Sequence, residues 1–124
     1  MSSQKVLLVD DSGVMRKIIV RALNAISITD VVEAADGAEA LKLFNSDSFG
    51  LVLTDWNMPN MNGLELLTAI RATGSKVPVI MITTEAEQGR VLQAIQAGAS
   101  NYLVKPFEQE TLLNKLQKYV SVPA

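Results

Sequence analysis

Short apolar runs recur along this chain at intervals filled by longer amphipathic stretches, and no other feature narrows its fold as much. Strands are expected at Lys5–Val9, Val31–Ala34, Leu51–Thr54, Val79–Ile82 and Asn101–Val104. Runs such as VLLV and VIMI are apolar on both sides, as in a parallel sheet covered by helices on both faces. Helical patterns fall between them, at about Val14–Ala25, Ala38–Asn45, Leu64–Arg71, Gly89–Ala97 and Glu108–Val120. In the last, Leu112, Leu113, Leu116, Tyr119 and Val120 form one apolar stripe. Breakers punctuate the units at Asp36-Gly37, Pro59, Gly74, Pro78, Gly98 and Pro106.

Five strand–helix units with right-handed crossovers wind into a doubly wound α/β sheet. The flavodoxin-like order 2-1-3-4-5 suits this number, and its ligand crevice lies beyond the carboxyl ends of the strands, near the switch point between strands 1 and 3. The 124 residues suit a single domain. A net charge of −2 with scattered basic residues leaves no electrostatic footprint for nucleic acid. No apolar run is long enough for a bilayer and MSSQK lacks a signal peptide's apolar segment, so a cytoplasmic protein is expected. With neither cysteine nor histidine, the chain's own chemistry is confined to carboxylates, hydroxyls, lysine or a metal held through oxygen.

The strand ends supply such groups. Strand 1 runs into Asp10-Asp11, strand 3 into Asp55, strand 4 into Thr83-Thr84 and strand 5 into Lys105-Pro106. Each has an ordinary explanation: helix capping for Asp10 and Asp11, a turn for Asp55, a solvated hydroxyl for Thr83, a solvated ammonium for Lys105. Neighbouring strands are about 5 Å apart, however, so the chosen order places all of them on one rim. Three carboxylates that close repel one another unless a cation sits among them, and a hard divalent ion such as Mg²⁺ suits an all-oxygen set. The chemistry such a group supports is phosphoryl transfer to a carboxylate, with Asp55 as nucleophile and Lys105 and Thr83 contacting phosphoryl oxygens.

VLLVDDSGVMRKII, EAADGAEAL, LVLTDWNMPNMNGLELL, VIMITTEA and AGASNYLVKPF together resemble the receiver domains of two-component response regulators, most closely the single-domain chemotaxis (CheY-like) type. The resemblance spans essentially the whole chain. It implies that Asp55 is the phosphoacceptor and that Asp11 and Asp55 bind Mg²⁺ directly. Asp10 would hold the ion through water, and the Asn57 carbonyl would add a ligand. It also implies a Thr83–Tyr102 switch pair, a phosphate-contacting Lys105, a cis Lys105–Pro106 bond, and Asn57 and Glu85 tuning hydrolysis. The donor would be a histidine kinase. Output would pass to a protein target through the fourth helix, fifth strand and fifth helix, with a phosphatase as a further partner.

The chain departs from the chemotaxis pattern at two single positions and one short stretch. Thr84 stands where alanine is common, bearing on hydrolysis and on the tyrosine's freedom, and Asn62 stands where aspartate is common. Glu87-Gln88-Gly89 opens the fourth helix where lysines are usual, which bears on the target. The expectation is a monomeric receiver over residues 1–124 with no output domain, not an enzyme, though assisting its own phosphorylation and dephosphorylation. A phosphorelay intermediate or phosphate sink, or a receiver excised from a larger regulator, is the alternative. An aspartyl-phosphate hydrolase of the haloacid dehalogenase type would carry its nucleophile after strand 1 in a DxD pattern. A flavin module would need a hydroxyl- and glycine-rich loop where Asp10-Asp11 stands.

Overall fold

The computed structural model describes residues 5–83, 88–105 and 107–119. Five strands, β1 (Val6–Val9), β2 (Val31–Ala34), β3 (Leu51–Asp55), β4 (Val79–Thr83) and β5 (Asn101–Val104), pair in parallel in the order β2-β1-β3-β4-β5. This is the flavodoxin-like order expected from the apolar runs. Helices α1 (Gly13–Ala25), α2 (Gly37–Ser46), α3 (Gly63–Ala72), α4 (Gln88–Gln96) and α5 (Gln109–Leu116) alternate with the strands.

The period-2 alternation of a strand divides each run between two cores. Val6, Leu8, Leu51, Leu53, Ile80, Ile82 and Leu103 face α1 and α5, where Ile19, Leu23, Leu112 and Leu116 meet them. Leu7, Val9, Val52, Val79 and Met81 face the other way, onto Leu66, Leu67 and Ile70 of α3 and Ala94 of α4. Both faces are therefore dry, which explains why β1, β3 and β4 are buried along their whole length.

Two strands extend one residue beyond their expected ends. Asp55 pairs with Ile82 and Thr83 with Val104, so both polar residues belong to the ladder itself. The last helix is shorter than its apolar stripe. It ends at Leu116, and the Tyr119 hydroxyl donates to the Ser100 carbonyl at 3.0 Å, tying the stripe's continuation to the start of β5 without helical backbone. Val120 lies outside the described residues.

Helix starts carry their own stops and caps. The Ser12 hydroxyl accepts from the Met15 amide at 3.2 Å and the Asp36 carboxylate from the Glu39 amide at 2.8 Å. Asn62 and Glu65 form a reciprocal capping box at the start of α3. These caps fix where α1, α2 and α3 leave the rim. Among the described residues no helix is long and apolar enough to cross a membrane.

Candidate functional site

The carboxyl ends of β1 and β3 are neighbours in the sheet, so the residues that follow Val9 and Thr54 are brought side by side. Carboxylate oxygens of Asp10, Asp11 and Asp55 lie within 4.8 Å of one another, with Asp10 and Asp55 buried and Asp11 exposed. Lys105, just past β5, is carried to the same point because its amide donates to the Thr83 carbonyl at 2.6 Å. Its Nζ donates to Asp10 Oδ2 and to Asp55 Oδ2, each at 3.3 Å. Thr83, the last residue of β4, is buried beside this group.

Asp10 does two jobs at once. Its Oδ1 accepts the Ser12 amide at 2.9 Å, fixing the turn into α1, while Oδ2 meets Lys105. The capping role foreseen for this region falls chiefly to Ser12, the N-cap of α1. Asp55 is likewise held at both oxygens, by the Trp56 amide on Oδ1 at 2.9 Å and by Lys105 on Oδ2. Burial pushes the Asp55 carboxyl above the usual carboxylate range. The Lys105 ammonium opposes the rise, and the charge of Asp10 adds to it.

The loop after Asp55 folds back on its own strand. The Gly63 amide donates to the Trp56 carbonyl at 2.8 Å, and a Cβ on Gly63 would stand 2.2 Å from the Asp55 carbonyl oxygen. Only glycine fits there. Asn60 takes a left-handed φ of 67° and donates from its side chain to Asp36 Oδ2 at 2.8 Å. Gly37 closes the other side: its amide donates to the Met61 carbonyl at 3.2 Å, and a Cβ there would lie 2.4 Å from the same oxygen. The run from Asp55 to Gly63 is thus pinned to the β2–α2 turn.

The donor set fits a hard divalent cation. All three acidic side chains offer oxygen, two of them are buried against each other, and the one cation bridging Asp10 and Asp55 among the described contacts is Lys105. The structure brings together Asp10, Asp11, Asp55, Thr83 and Lys105. Asn57 is exposed on the loop beyond Trp56, and Tyr102 lies on β5 opposite Met81, with Lys115 Nζ 4.3 Å from its ring centroid. Thr84, Glu85, Glu87 and the Lys105–Pro106 bond lie outside the described residues.

A profile of the response regulator receiver domain matches residues 6–117. The chain belongs to the response regulator receiver family. This receiver is 43% identical over 116 residues to the chemotaxis protein CheY of Pseudomonas aeruginosa, covering 92% of this chain and 94% of that one. It is 46% identical to the chemotaxis protein CheY1 of Helicobacter pylori, covering 91% and 94%. Among solved structures, Vibrio cholerae CheY4 superposes with a TM-score of 0.87 at 37% identity, covering 97% of the receiver and all of that chain. The receiver domain of a Pseudomonas aeruginosa sensor histidine kinase, which holds a magnesium ion in its active-site cleft, gives 0.85 at 32% identity, covering 95% and 98%.

One contact of this site has no counterpart in the sequence reading. Arg90, in the first turn of α4, donates from Nη1 to Asn57 Oδ1 at 3.3 Å and lies 5.4 Å from the Trp56 ring centroid. Nothing in the spacing of Arg90 distinguishes it from a solvated helix residue. Only the fold, which sets α4 against the β3–α3 loop, reveals it.

Proposed function

We propose that this receiver takes a phosphoryl group on Asp55 from a histidine kinase, in a Mg²⁺-dependent reaction, and thereby switches the surface formed by α4, β5 and α5. The observation that carries this reading is the Lys105 ammonium bridging Asp10 and Asp55 beside Asp11. An Asp55 oxygen attacks phosphorus, the bond to the donor's imidazole nitrogen breaks, and that nitrogen leaves with its electron pair. Asp55 attacks as its carboxylate and needs no base, and the Lys105 ammonium beside it favours that charged form. Lys105 then pairs with phosphoryl oxygen in place of a carboxylate partner, and Thr83 stands at the neighbouring strand end to donate its hydroxyl to another. Asp10, Asp11 and Asp55, with the Asn57 carbonyl, would hold the ion. When bound, Mg²⁺ neutralises charge shared between Asp55 and the incoming group.

The phosphoryl group adds about −1.5 to −2 charge at the rim. Thr83 and Tyr102 are the residues proposed to relay it, and Thr84, Glu85 and Asn57 those proposed to tune its hydrolysis. The output face is supported by α4, where Leu92 is 59% and Ile95 45% exposed. Chemotaxis is the pathway class that the named relatives favour, and the 124 residues are read as one receiver unit.

The test is mass spectrometry after incubation with Mg²⁺ and a small acyl phosphate. One phosphoryl adduct, labile to hydroxylamine and absent from Asp55→Asn, is expected. An adduct that survives Asp55→Asn overturns the acceptor assignment. Trp56 emission should also respond to Mg²⁺, since its amide holds Asp55. Emission indifferent to Mg²⁺ counts against the site.

A further inference from the structure

Asn57 is exposed, and an exposed amide ordinarily samples several rotamers. Here it does not stand alone. Arg90 Nη1 donates to Asn57 Oδ1 at 3.3 Å, and because a guanidinium only donates, the amide must present its oxygen to Arg90 and turn its NH₂ elsewhere. The same guanidinium lies 5.4 Å from the centroid of Trp56, a cation–π distance. Trp56 is itself fixed: its ring is buried, its amide donates to Asp55 Oδ1, and its carbonyl accepts from Gly63. One side chain of α4 therefore touches the two residues that follow Asp55, one through its ring and one through its amide.

The far end of α4 is anchored differently. Arg71 of α3 donates from Nε and Nη2 to the Gly98 carbonyl, at 3.0 and 2.9 Å. Between these two arginine contacts Ala94 is the buried residue that α4 gives to the core among its described side chains. The Arg90 contacts are thus a principal link between the start of α4 and the loop after Asp55.

We propose that Arg90 is a positioning residue for Asn57, and that it lengthens the life of a phosphoryl group on Asp55. This rests on the phosphoacceptor reading above. Hydrolysis of an acyl phosphate needs a water in line with the carboxylate leaving group. The water oxygen bonds to phosphorus, the bond from phosphorus to the Asp55 oxygen breaks, the carboxylate keeps the electron pair, and the water's protons pass to phosphate and solvent. An acceptor beside the site helps to orient that water. Asn57, two residues past Asp55 on the same loop, offers Oδ1 for that role, and while it is bonded to Arg90 its capacity is partly spent and its direction fixed. Release of Arg90 frees it.

The experiment compares loss of the Asp55 adduct in the parent chain, Arg90→Gln, Arg90→Lys, Asn57→Ala and the double variant Arg90→Gln with Asn57→Ala, at matched Mg²⁺. Arg90→Gln is expected to shed its phosphoryl group about threefold to tenfold faster, the scale of one ordinary net hydrogen bond at an exposed position. Arg90→Lys keeps a cation near the Trp56 ring but not the planar fork, so its rate should follow Arg90→Gln while its Trp56 emission stays nearer the parent's. In the Asn57→Ala background the Arg90 substitution should change the rate by less than about 1.5-fold, since the two act as a unit.

Trp56 emission of the unphosphorylated, metal-free chain gives a separate readout, and Arg90→Gln should alter it. A phosphorylated parent and Arg90→Gln that decay equally fast overturn the proposal. An Arg90 effect that persists undiminished without the Asn57 amide overturns it as well. A parent chain that accepts no phosphoryl group at Asp55 overturns the acceptor reading and this inference together. The two failures are therefore distinguishable.

Discussion

Helices α3 and α4 cover the same face of the sheet, yet they are held in opposite ways. Helix α3 starts in a reciprocal capping box and buries Gly63, Leu66, Leu67 and Ile70. Its first residue is pressed against the Asp55 carbonyl with no room for a methyl group. Helix α4 gives Ala94 to the core, turns Leu92 and Ile95 to solvent, and touches the Asp55 loop through Arg90. One helix is fixed by packing that has a single solution. The other adds to the small buried side chain of Ala94 polar contacts that are individually modest and easily exchanged. Close packing on the α3 side backs the loop that carries Asp55, and the lighter hold on α4 is the contrast on which the proposed switch surface rests.

The sharpest way to break this contrast is Gly63→Ala. The added Cβ would meet backbone, not a flexible side chain, so a loss of about 3 kcal/mol in denaturant unfolding is expected, with weakened Mg²⁺ binding because Asp55 must shift. A variant that unfolds like the parent would show that the loop is not pinned. Next in size is Lys105→Met, which leaves Asp10 and Asp55 facing each other without their bridging cation. About 2 kcal/mol should be lost at pH 7, and Mg²⁺ should restore part of it. Failure of Mg²⁺ to restore stability would argue against a cation site at the rim.

Asp55→Asn should act in the opposite direction. Burial raises the Asp55 pKa above its ordinary 3.8, so the folded chain keeps this proton to higher pH than the unfolded chain does. The associated stability is complete below the ordinary value and is lost as pH rises through the raised one. Removing the charge should therefore stabilise the metal-free fold at pH 7 by about 1 kcal/mol or less, a gain that fades below about pH 4. Melting curves across that range decide it, and a gain that grows on acidification would reverse the assigned shift. The smallest effect belongs to α4. Leu92→Ser and Ile95→Ser should each change stability by no more than about 0.5 kcal/mol. A loss comparable to that of Leu66→Ala would erase the difference between the helices.

Much of this was legible in the sequence because it is local or periodic. The apolar runs specify buried parallel strands, and once the strand order follows, Asp10, Asp11, Asp55, Thr83 and Lys105 must share a rim. Strand ends were less legible: Asp55 and Thr83 are polar, so composition places them outside the ladder, whereas pairing with Ile82 and Val104 keeps them in it. The end of α5 was misplaced for the converse reason. An apolar stripe records which residues are covered, and Tyr119 reaches the start of β5 through a hydroxyl bond from a turn. Least legible were the Gly63 cradle and the Arg90 contact, since both join segments whose approach depends on the finished fold.

The two bonds that hold Asp55 carry one more consequence. A carboxylate in water has two interchangeable oxygens, but this one is handed: a backbone amide occupies Oδ1, and a lysine occupies Oδ2. An amide built into the chain stays where it is, while an ammonium on four methylenes can swing to a new partner. On the proposed phosphoacceptor reading, an incoming group would meet a carboxylate with a fixed back and an exchangeable front, two unlike oxygens distinguished before anything binds.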